Sequence, residues 1–322
     1  MFSCARANFV RCYTHFQAKP TQFLAMTSLH PAEFDLLLTD FADRSDRYFR
    51  YHTWRGAKRV MPHFQPQADE ALADPAQQLF FLLVYLKNNP LQQFQAALFD
   101  LSQGSVSNMI RRLLALLNQT LKALGLAPCQ DTDSLRAQLD QLQPRALNLD
   151  ATERPMPRSG DPSAQAEEYS GKARGHTSKN QILCDDRGYV HFLSWTYEGK
   201  MHDKALADAE AVDLSVGLLL RQDTGYQGYA PPGVLVSQPT KKPRKGALSK
   251  LQKLVNQSIS TSRVVVEHAI GGIKRLHCLG YKLRLRGRSI RDALMLVGTG
   301  LHNLRVTSPL RQYGSHALRW AT

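Results

Sequence analysis

The sequence predicts an α/β domain built on a mixed sheet, preceded by an all-α domain. Three observations carry that expectation. Before residue 125, apolar residues recur at helical spacing in successive segments. From Ala146 onward, short apolar or alternating runs are bounded by turn residues, as strands are. Two of those runs end in a carboxylate, Asp150 and Asp223, and a late helical stretch encloses a third, Glu267. The 322 residues then divide into an extension over 1–26, flexible or a misassigned start, and a helical domain over 27–128. A connecting helix over 129–145, the α/β domain over 146–305 and a loose tail over 306–322 follow.

At 43% hydrophobic and 21% charged residues the chain can bury a core. Its net charge of +14 favours a polyanionic partner, nucleic acid first and an anionic membrane surface second. No run of eighteen apolar residues exists, so no membrane span is expected. The five cysteines are scattered without metal-ligand spacing and read as free thiols of a reducing compartment. Arg6, Arg11 and Lys19, with no acid before Met26, superficially resemble a transit peptide; an extended start ahead of Met26 is the preferred reading.

In the helical domain, His30-Pro31-Ala-Glu33 opens a helix. Proline suits the first helical position, Glu33 the positive helix end, and Phe34, Leu37, Leu38 and Phe41 follow on one face. Arg44 to Arg59 is rich in Arg and aromatics, and two readings stand: contact with DNA, or a surface helix docked by its aromatic rings. Pro75 to Asn88 is an apolar helix, Gln92 to Leu98 a short one, Asp100 to Gly104 a turn, and Ser105 caps a long third helix. That layout, spanning about residues 75–124, is a helix-turn-helix. It would place Ser107, Asn108, Arg111 and Arg112 in a major groove. An ordinary three-helix bundle is the alternative.

In the α/β domain, Ala146 to Leu149 is a strand with Leu147 and Leu149 on one face and Asn148 and Asp150 on the other, and Pro155 stops the pairing. Residues 154–178 are expected as a polar loop bearing Arg158, Lys172, Arg174 and His176. Asn180 to Asp185 and Tyr189 to Tyr197 form a hairpin around Asp186-Arg-Gly188. Asp203 caps a helix to Ala211, and Leu218 to Arg221 and Val234 to Val236 are further strands. The basic run Lys241 to Lys253, with Lys241, Lys242, Arg244 and Lys245, is either a solvated surface or an edge that binds a nucleic-acid strand. The Glu267 helix runs from about Ser260 to His277, and the last helix from Ser289 to about Leu304.

Three carboxylates brought together repel: at 4 Å a pair costs on the order of 4 kcal/mol at an effective dielectric near 20. A compensating cation is therefore expected, and oxygen ligands without a Cys/His set select Mg²⁺ or Mn²⁺. Two such ions about 4 Å apart support in-line displacement at phosphorus. Glu153 reads as a loop carboxylate and Asp203 as a helix cap, outside that set.

Asp150-Ala-Thr-Glu-Arg-Pro, Tyr169-Ser-Gly-Lys172, Gly199-Lys-Met-His-Asp203, Asp223-Thr-Gly-Tyr-Gln-Gly and Arg263-x-x-x-Glu267-His carry a resemblance that covers roughly residues 75–305. In these motifs the chain resembles the DDE transposases, and looks closest to the superfamily of the insertion-sequence-five bacterial elements and the eukaryotic Harbinger elements. The resemblance implies an RNase H-like catalytic domain, a mixed five-stranded sheet with helices, in which the first and fourth strands lie side by side. It implies Asp150, Asp223 and Glu267 as the catalytic and metal-binding triad with two Mg²⁺ or Mn²⁺ ions. It also implies that Arg263 and Lys274 hold DNA at the cleavage site. The implied partners are double-stranded DNA, both element ends and target, and further copies of the chain as a homodimer or larger assembly. The implied reaction is strand cleavage followed by strand transfer, in the nucleoid of a bacterium or the nucleus of a eukaryote. A domesticated DNA-binding protein that has lost catalysis, and a nuclease without strand transfer, are the competing readings. At two places the chain departs from the family: Thr224 stands where a basic residue is common, and Ser260 where related proteins carry tyrosine.

Overall fold

The computed structural model describes residues 13–63, 72–243, 246–285 and 287–312. The chain forms two compact units, Met1–Gly125 with Arg275–Cys278, and Leu126–Lys274 with Leu279–Thr322.

The first unit is helical: α1 (Tyr13–Gln17), α2 (Pro20–Thr27), α3 (Pro31–Tyr51), α4 (Pro75–Asn88), α5 (Gln92–Phe99) and α6 (Gln103–Ala123). Helix α4 is its centre. Leu79 to Leu86 are all buried, so this helix is apolar all round and its neighbours surround it. Residues 13–26 are not a loose extension. Phe23 is fully buried and packs its ring on Phe34 and Phe80, which anchors α2 to the helical core. Residues 1–12 lie outside the described residues. Helix α3 begins as its capping residues dictate, with Glu33 accepting from the His30 backbone N–H at 2.9 Å. The Arg- and aromatic-rich stretch continues α3 to Tyr51 and then turns back. Phe49 and Trp54 pack with ring centroids 4.0 Å apart, and an isolated bridge joins His52 to Lys58. Its aromatics therefore dock on their own chain.

Helices α4, α5 and α6 follow in the expected order, with one shift. The cap of α6 is Ser102, whose Oγ accepts from the Ser105 backbone at 3.1 Å, so the helix starts at Gln103 rather than after Ser105. Both serines can cap; the one three residues earlier wins because Gly104 is tolerated in the first turn, where propensity matters least. Val106, Met109, Ile110, Leu113, Leu114 and Leu117 form the buried stripe of α6.

The second unit contains α7 (Thr132–Leu142), β1 (Ala146–Pro155), α8 (Pro162–Glu168), β2 (Tyr169–Ser170), β3 (Gly175–Cys184), β4 (Val190–Leu193), β5 (Tyr197–Glu198), α9 (Asp203–Glu210), β6 (Leu219–Arg221) and β7 (Leu235–Ser237). Helices α10 (Lys250–Lys274), α11 (His277–Gly280), α12 (Arg288–Thr307) and α13 (Pro309–Gln312) complete the chain. The sheet runs β2-β3-β1-β6-β7, with β4 and β5 also paired to β3. It is five strands wide but has seven strands, because the outer edge of β3 is covered by three short ones in succession, β2, β5 and β4. Strand β1 is antiparallel to β3 and parallel to β6, so the sheet is mixed.

Leu147 and Leu149 join Leu183, Phe192, Leu218, Leu220 and Tyr226 in one core cluster with Leu135 and Leu139 of α7. The segment expected as a connecting helix is thus part of this unit, held by its apolar stripe. The other face of β1 carries Asp150 and Arg154, which bond to Arg263 of α10 and the Arg291 carbonyl of α12. Helices cover both faces, which explains why β3 is buried over Thr177 to Cys184 without alternation. Strand β1 also runs longer than Leu149. Residues 151–155 continue its pairing with β3, and 162–168 are helical, so the expected polar loop shrinks to short links. Helix α10 begins at Lys250, ten residues before the expected start, since Leu251, Leu254 and Val255 extend the helical spacing.

Asn303 of α12 ties the outer edge. It accepts from the Val190 N–H and donates to the carbonyls of Val190 and Leu126, each at 2.9 Å. Asn303→Ala leaves these buried groups unpaired and is expected to cost about 2 to 4 kcal/mol. An unchanged urea midpoint would contradict this role for the side chain.

Candidate catalytic carboxylate site

The site is built by strand register. The parallel pairs Ala146↔Leu219, Leu147↔Leu220 and Asn148↔Arg221 set β1 and β6 side by side, and two residues further on the same register brings Asp150 and Asp223 opposite each other. Asp150 is not at the end of its strand; the parallel pairing ends near it while the antiparallel pairing with β3 continues to Pro155. There β6 gives way to a single 3-10 turn, Thr224–Tyr226, capped by Asp223, whose Oδ1 accepts from the Gly225 N–H. A Cβ on Gly225 would lie 2.8 Å from Asp223 Oδ1 and 2.9 Å from Oδ2 of Asp203, the first residue of α9. Glycine therefore keeps open a cradle between two carboxylates.

Helix α10 supplies the opposite wall. Arg263 is buried, and its guanidinium donates to Asp150 Oδ2 at 3.1 Å. The pairing of Arg263 with Glu267 along the helix does not form. Glu267, one turn on, is exposed and takes part in no hydrogen bond or ion pair among the described residues. Lys274 is partly buried and donates to the Glu153 carbonyl at 2.8 Å; burial and the Arg154 cation lower its pKa. Arg263 and Lys274 thus both turn to β1, while Glu267 between them faces solvent. His268 is exposed.

Among the described residues no three His, Cys, Asp or Glu side chains converge closely enough to hold a metal ion. The expected close convergence of Asp150, Asp223 and Glu267 is therefore not seen. The physical reason lies in the partners: Asp150 is drawn to Arg263 and Asp223 to the Gly225 N–H, so repulsion is relieved by protein donors. The carboxylates still feel one another. Burial pushes the Asp150 pKa up to about 6 against the pull of Arg263 and the Ala151 N–H, with Asp223 and Asp203 adding to the rise. Hard oxygen donors, an open glycine cradle and a carboxyl group that burial first, and its neighbours' negative charge second, make harder to ionise all fit a divalent cation.

Four contributors escaped sequence reading or were given another role there. Lys179 of β3 is buried, donates to Met201 O at 2.7 Å and Asp203 Oδ1 at 2.9 Å, and lies 3.4 Å from Glu153 Oε1 as an ion pair. Glu153 is thus a strand residue opposite Lys179 rather than a loop carboxylate, and it also accepts from Thr177 Oγ1 at 2.9 Å. Asp203 is the first residue of α9 rather than its cap, which is His202. Tyr226 is the fourth: its ring is fully buried, and among the described residues its hydroxyl has no hydrogen-bond partner. Burial, then the charges of Asp203, Asp150 and Asp223, hold that phenol well above its ordinary pKa. The pattern that could have found them is the two-residue alternation of β1 against β3, which sets Glu153 opposite Lys179, and the Tyr226 of the Asp223-Thr-Gly-Tyr motif.

The other basic candidates lie apart. Lys172 is exposed between β2 and β3, and Lys241 and Lys242 are exposed after β7; Arg244 and Lys245 lie outside the described residues. In the helical unit Arg111 is exposed and Ser107 and Asn108 are half-buried on α6. Arg112 is turned inward: it donates to the Arg55 carbonyl at 3.0 Å and packs against Gly56, whose φ of +83° leaves room for it.

Comparison with known proteins matches residues 149–303 to the family described as DDE superfamily endonuclease, and residues 70–123 to the helix-turn-helix of DDE superfamily endonuclease. The chain is also similar to the "Probable transposase for insertion sequence element IS702" of Microchaete diplosiphon, 32% identical over 146 residues, which is 45% of this chain and 52% of that protein. The matched chain thus spans about half the length of that relative. No solved structure matches.

The raised Asp150 pKa has a signed consequence. The folded state binds this proton more tightly than the unfolded chain, so Asp150 opposes folding increasingly as pH rises from about 4 to about 6. Asp150→Asn should remove that negative slope from the metal-free protein's stability in urea titrations across this window. A slope unchanged by the substitution would contradict the assignment.

Proposed function

From a chain that belongs to the DDE superfamily of endonucleases, with that superfamily's helix-turn-helix ahead of the catalytic fold, we propose a transposase. It would bind the ends of a DNA element, cut a strand there and join the freed end to target DNA. The observation that supports the reading is the parallel register of β1 and β6, which runs up to Asn148 and Arg221, two residues before Asp150 and before Asp223 at the Gly225 cradle. Similarity to a transposase supports it.

In this reading Asp150 and Asp223 hold two divalent ions, Mg²⁺ or Mn²⁺, and Glu267 completes the set from α10. Such ions supply the positive charge that in-line displacement at phosphorus needs. Glu267 is exposed and unengaged, so it is available to close on the ions from the solvent side. Arg263 serves two acceptors in turn. It holds Asp150 now, and a DNA phosphate would draw it away, since a guanidinium pairs with either anion through the same forked donors. Lys274, about 10 Å along the helix from Glu267, would exchange the Glu153 carbonyl for a neighbouring phosphate. The element's own 3′ hydroxyl, freed by the first cut, is the nucleophile of the joining step, so no Ser, Tyr or His nucleophile is required. Ser107, Asn108 and Arg111, on the first turns of α6, are the groups offered to bases and phosphates of the element end. Arg112 would support that surface from behind.

Incubation of the full chain with Mg²⁺ and end-containing DNA is expected to yield nicked strands and joined products. Asp150→Asn should abolish both while leaving DNA affinity nearly unchanged. Nicks without joined products would indicate a nuclease alone, and binding without either would indicate a DNA-binding protein that has lost catalysis. Arg111→Ala should cost about 1 to 3 kcal/mol on the correct end sequence if it contacts a base, and a uniform loss on all DNA if it contacts phosphate. Equal affinity to the parent protein on both would remove α6 from the DNA interface.

A further inference from the structure

Residues 47–63 hold five Arg and Lys and no Asp or Glu. Where the run is helical its charge is met: Arg47 pairs with Asp43 at 2.5 Å, one turn back on α3. Past Tyr51 the chain turns back as a hairpin. The Thr53 N–H donates to the Ala57 carbonyl at 2.9 Å, the Gly56 N–H to the Thr53 carbonyl at 2.8 Å and the Arg59 N–H to the Tyr51 carbonyl at 2.7 Å. Gly56 closes the turn at a φ of +83°, which costs glycine little. Arg59 turns its side chain inward, its Nε donating to the Phe49 and His52 carbonyls at 3.1 Å each, and Trp54 lies on Phe49. Two cations stay outside. Arg55 and Lys58 are exposed, and neither side chain takes part in a hydrogen bond or ion pair among the described residues.

This hairpin is fastened to α6. Arg112 donates to the Arg55 carbonyl at 3.0 Å, and its guanidinium fills the space that a side chain on Gly56 would need. Arg112 stands one residue beyond Arg111 and one helical turn beyond Asn108, two of the groups that α6 offers to DNA. Arg55 therefore lies one arginine side chain to the flank of that stretch. Size decides what it meets there. A helix with its side chains is about 10–12 Å across and a major groove about 12 Å wide, so the helix fills the groove. An element on its flank meets the groove wall, which is phosphate rather than base edge.

We propose that the hairpin over residues 52–58 is a second DNA-contacting element of the helical unit, in which Arg55 and Lys58 bind phosphates of the duplex beside the groove that α6 enters, and Arg112 is their positioning residue. The proposal rests on the reading of α6 as the helix that binds the element end. It accounts for the inward turn of Arg112 next to an exposed Arg111: one arginine faces the DNA, and its neighbour holds the backbone of a flanking contact. It also divides the work. Ser107, Asn108 and Arg111 choose the sequence, while Arg55 and Lys58 add affinity for any duplex and fix how the helix lies on it.

The test is binding of the full chain, in EDTA so that no strand is cut, to two duplexes, one carrying the element end and one of unrelated sequence, each across a series of NaCl concentrations. The double variant Arg55→Ala with Lys58→Ala should bind both duplexes about ten-fold more weakly, and its log affinity should fall less steeply with log salt, the slope dropping by about two, as two lost phosphate contacts require. Its urea midpoint should match the parent's, because both side chains are exposed; a midpoint that falls with the affinity would make the hairpin structural and overturn the proposal. Arg112→Ala should flatten the slope in the same way, and adding Arg55→Ala and Lys58→Ala to it should flatten it no further. Further flattening would put Arg112 itself on the DNA and overturn its positioning role. Parent-like slope and affinity in the double variant, with Arg111→Ala weakened, would overturn the proposal and leave α6 as the DNA-binding helix. No loss in either would overturn both. A loss confined to the element-end duplex would place the two cations on bases and overturn the phosphate assignment.

Discussion

The parallel pairing of β1 with β6 is the constraint on which the rest depends. Parallel strands cannot be joined by a tight turn, so the chain must leave the sheet between them and return. Here it makes that excursion through β3, β4, β5 and α9 before β6 begins. The excursion delivers Lys179 and Asp203 next to the two aspartates. The register itself, Asn148 opposite Arg221, leaves no choice about which residues emerge together two positions later. A slip of one residue would turn Asp150 into the apolar layer occupied by Leu147 and Leu149, where an ionised group is not tolerated.

Burial of charge then decides how that neighbourhood is organised. Arg154, Lys179 and Arg263 are all buried, and each has its own acceptors: Asn180, Thr196 and the Arg291 carbonyl for Arg154, Glu153 and Asp203 for Lys179, Asp150 for Arg263. Removing one partner of such a set costs far more than the pair contributes, because the other charge stays buried. The arrangement has a functional reading as well. Two of the three cations sit on carboxylates at the cradle, so the site keeps its negative groups apart by pairing them with residues that can also bind phosphate. In the proposed reaction Arg263 is the movable one; Lys179 is enclosed by a loop carbonyl and two carboxylates and stays.

The large features were legible in the sequence for physical reasons. Helices α4 to α6 announced themselves through apolar spacing and capping residues, and β1, β6 and α10 through the carboxylates they carry. Asp150 and Asp223 could be paired because the resemblance to the DDE transposases implies that the first and fourth strands lie side by side. What sequence reading missed was tertiary. The early Phe23 looked like part of an extension, because its partners Phe34 and Phe80 lie far along the chain. Arg112 looked exposed on a helical wheel, but the Arg55 carbonyl, in another segment beside Gly56, accepts from its guanidinium. Asp203 looked like a cap because its local position is that of a helix start; Lys179, which gives it a different task, comes from a neighbouring strand. Glu267 was placed on α10 at the right spacing, yet spacing alone did not reveal that it faces solvent while Arg263 takes the inward position.

The central claim is that Asp150 and Asp223 form a divalent-cation site whose present counter-charge is Arg263. The most direct measurement is a crystal structure of the full chain grown with Mn²⁺, read by anomalous scattering from the metal. The account predicts anomalous density bounded by Asp150 and Asp223 at the Gly225 cradle, with the Arg263 guanidinium withdrawn from Asp150. Anomalous density elsewhere, or none with Arg263 still bonded to Asp150 at saturating Mn²⁺, would contradict it.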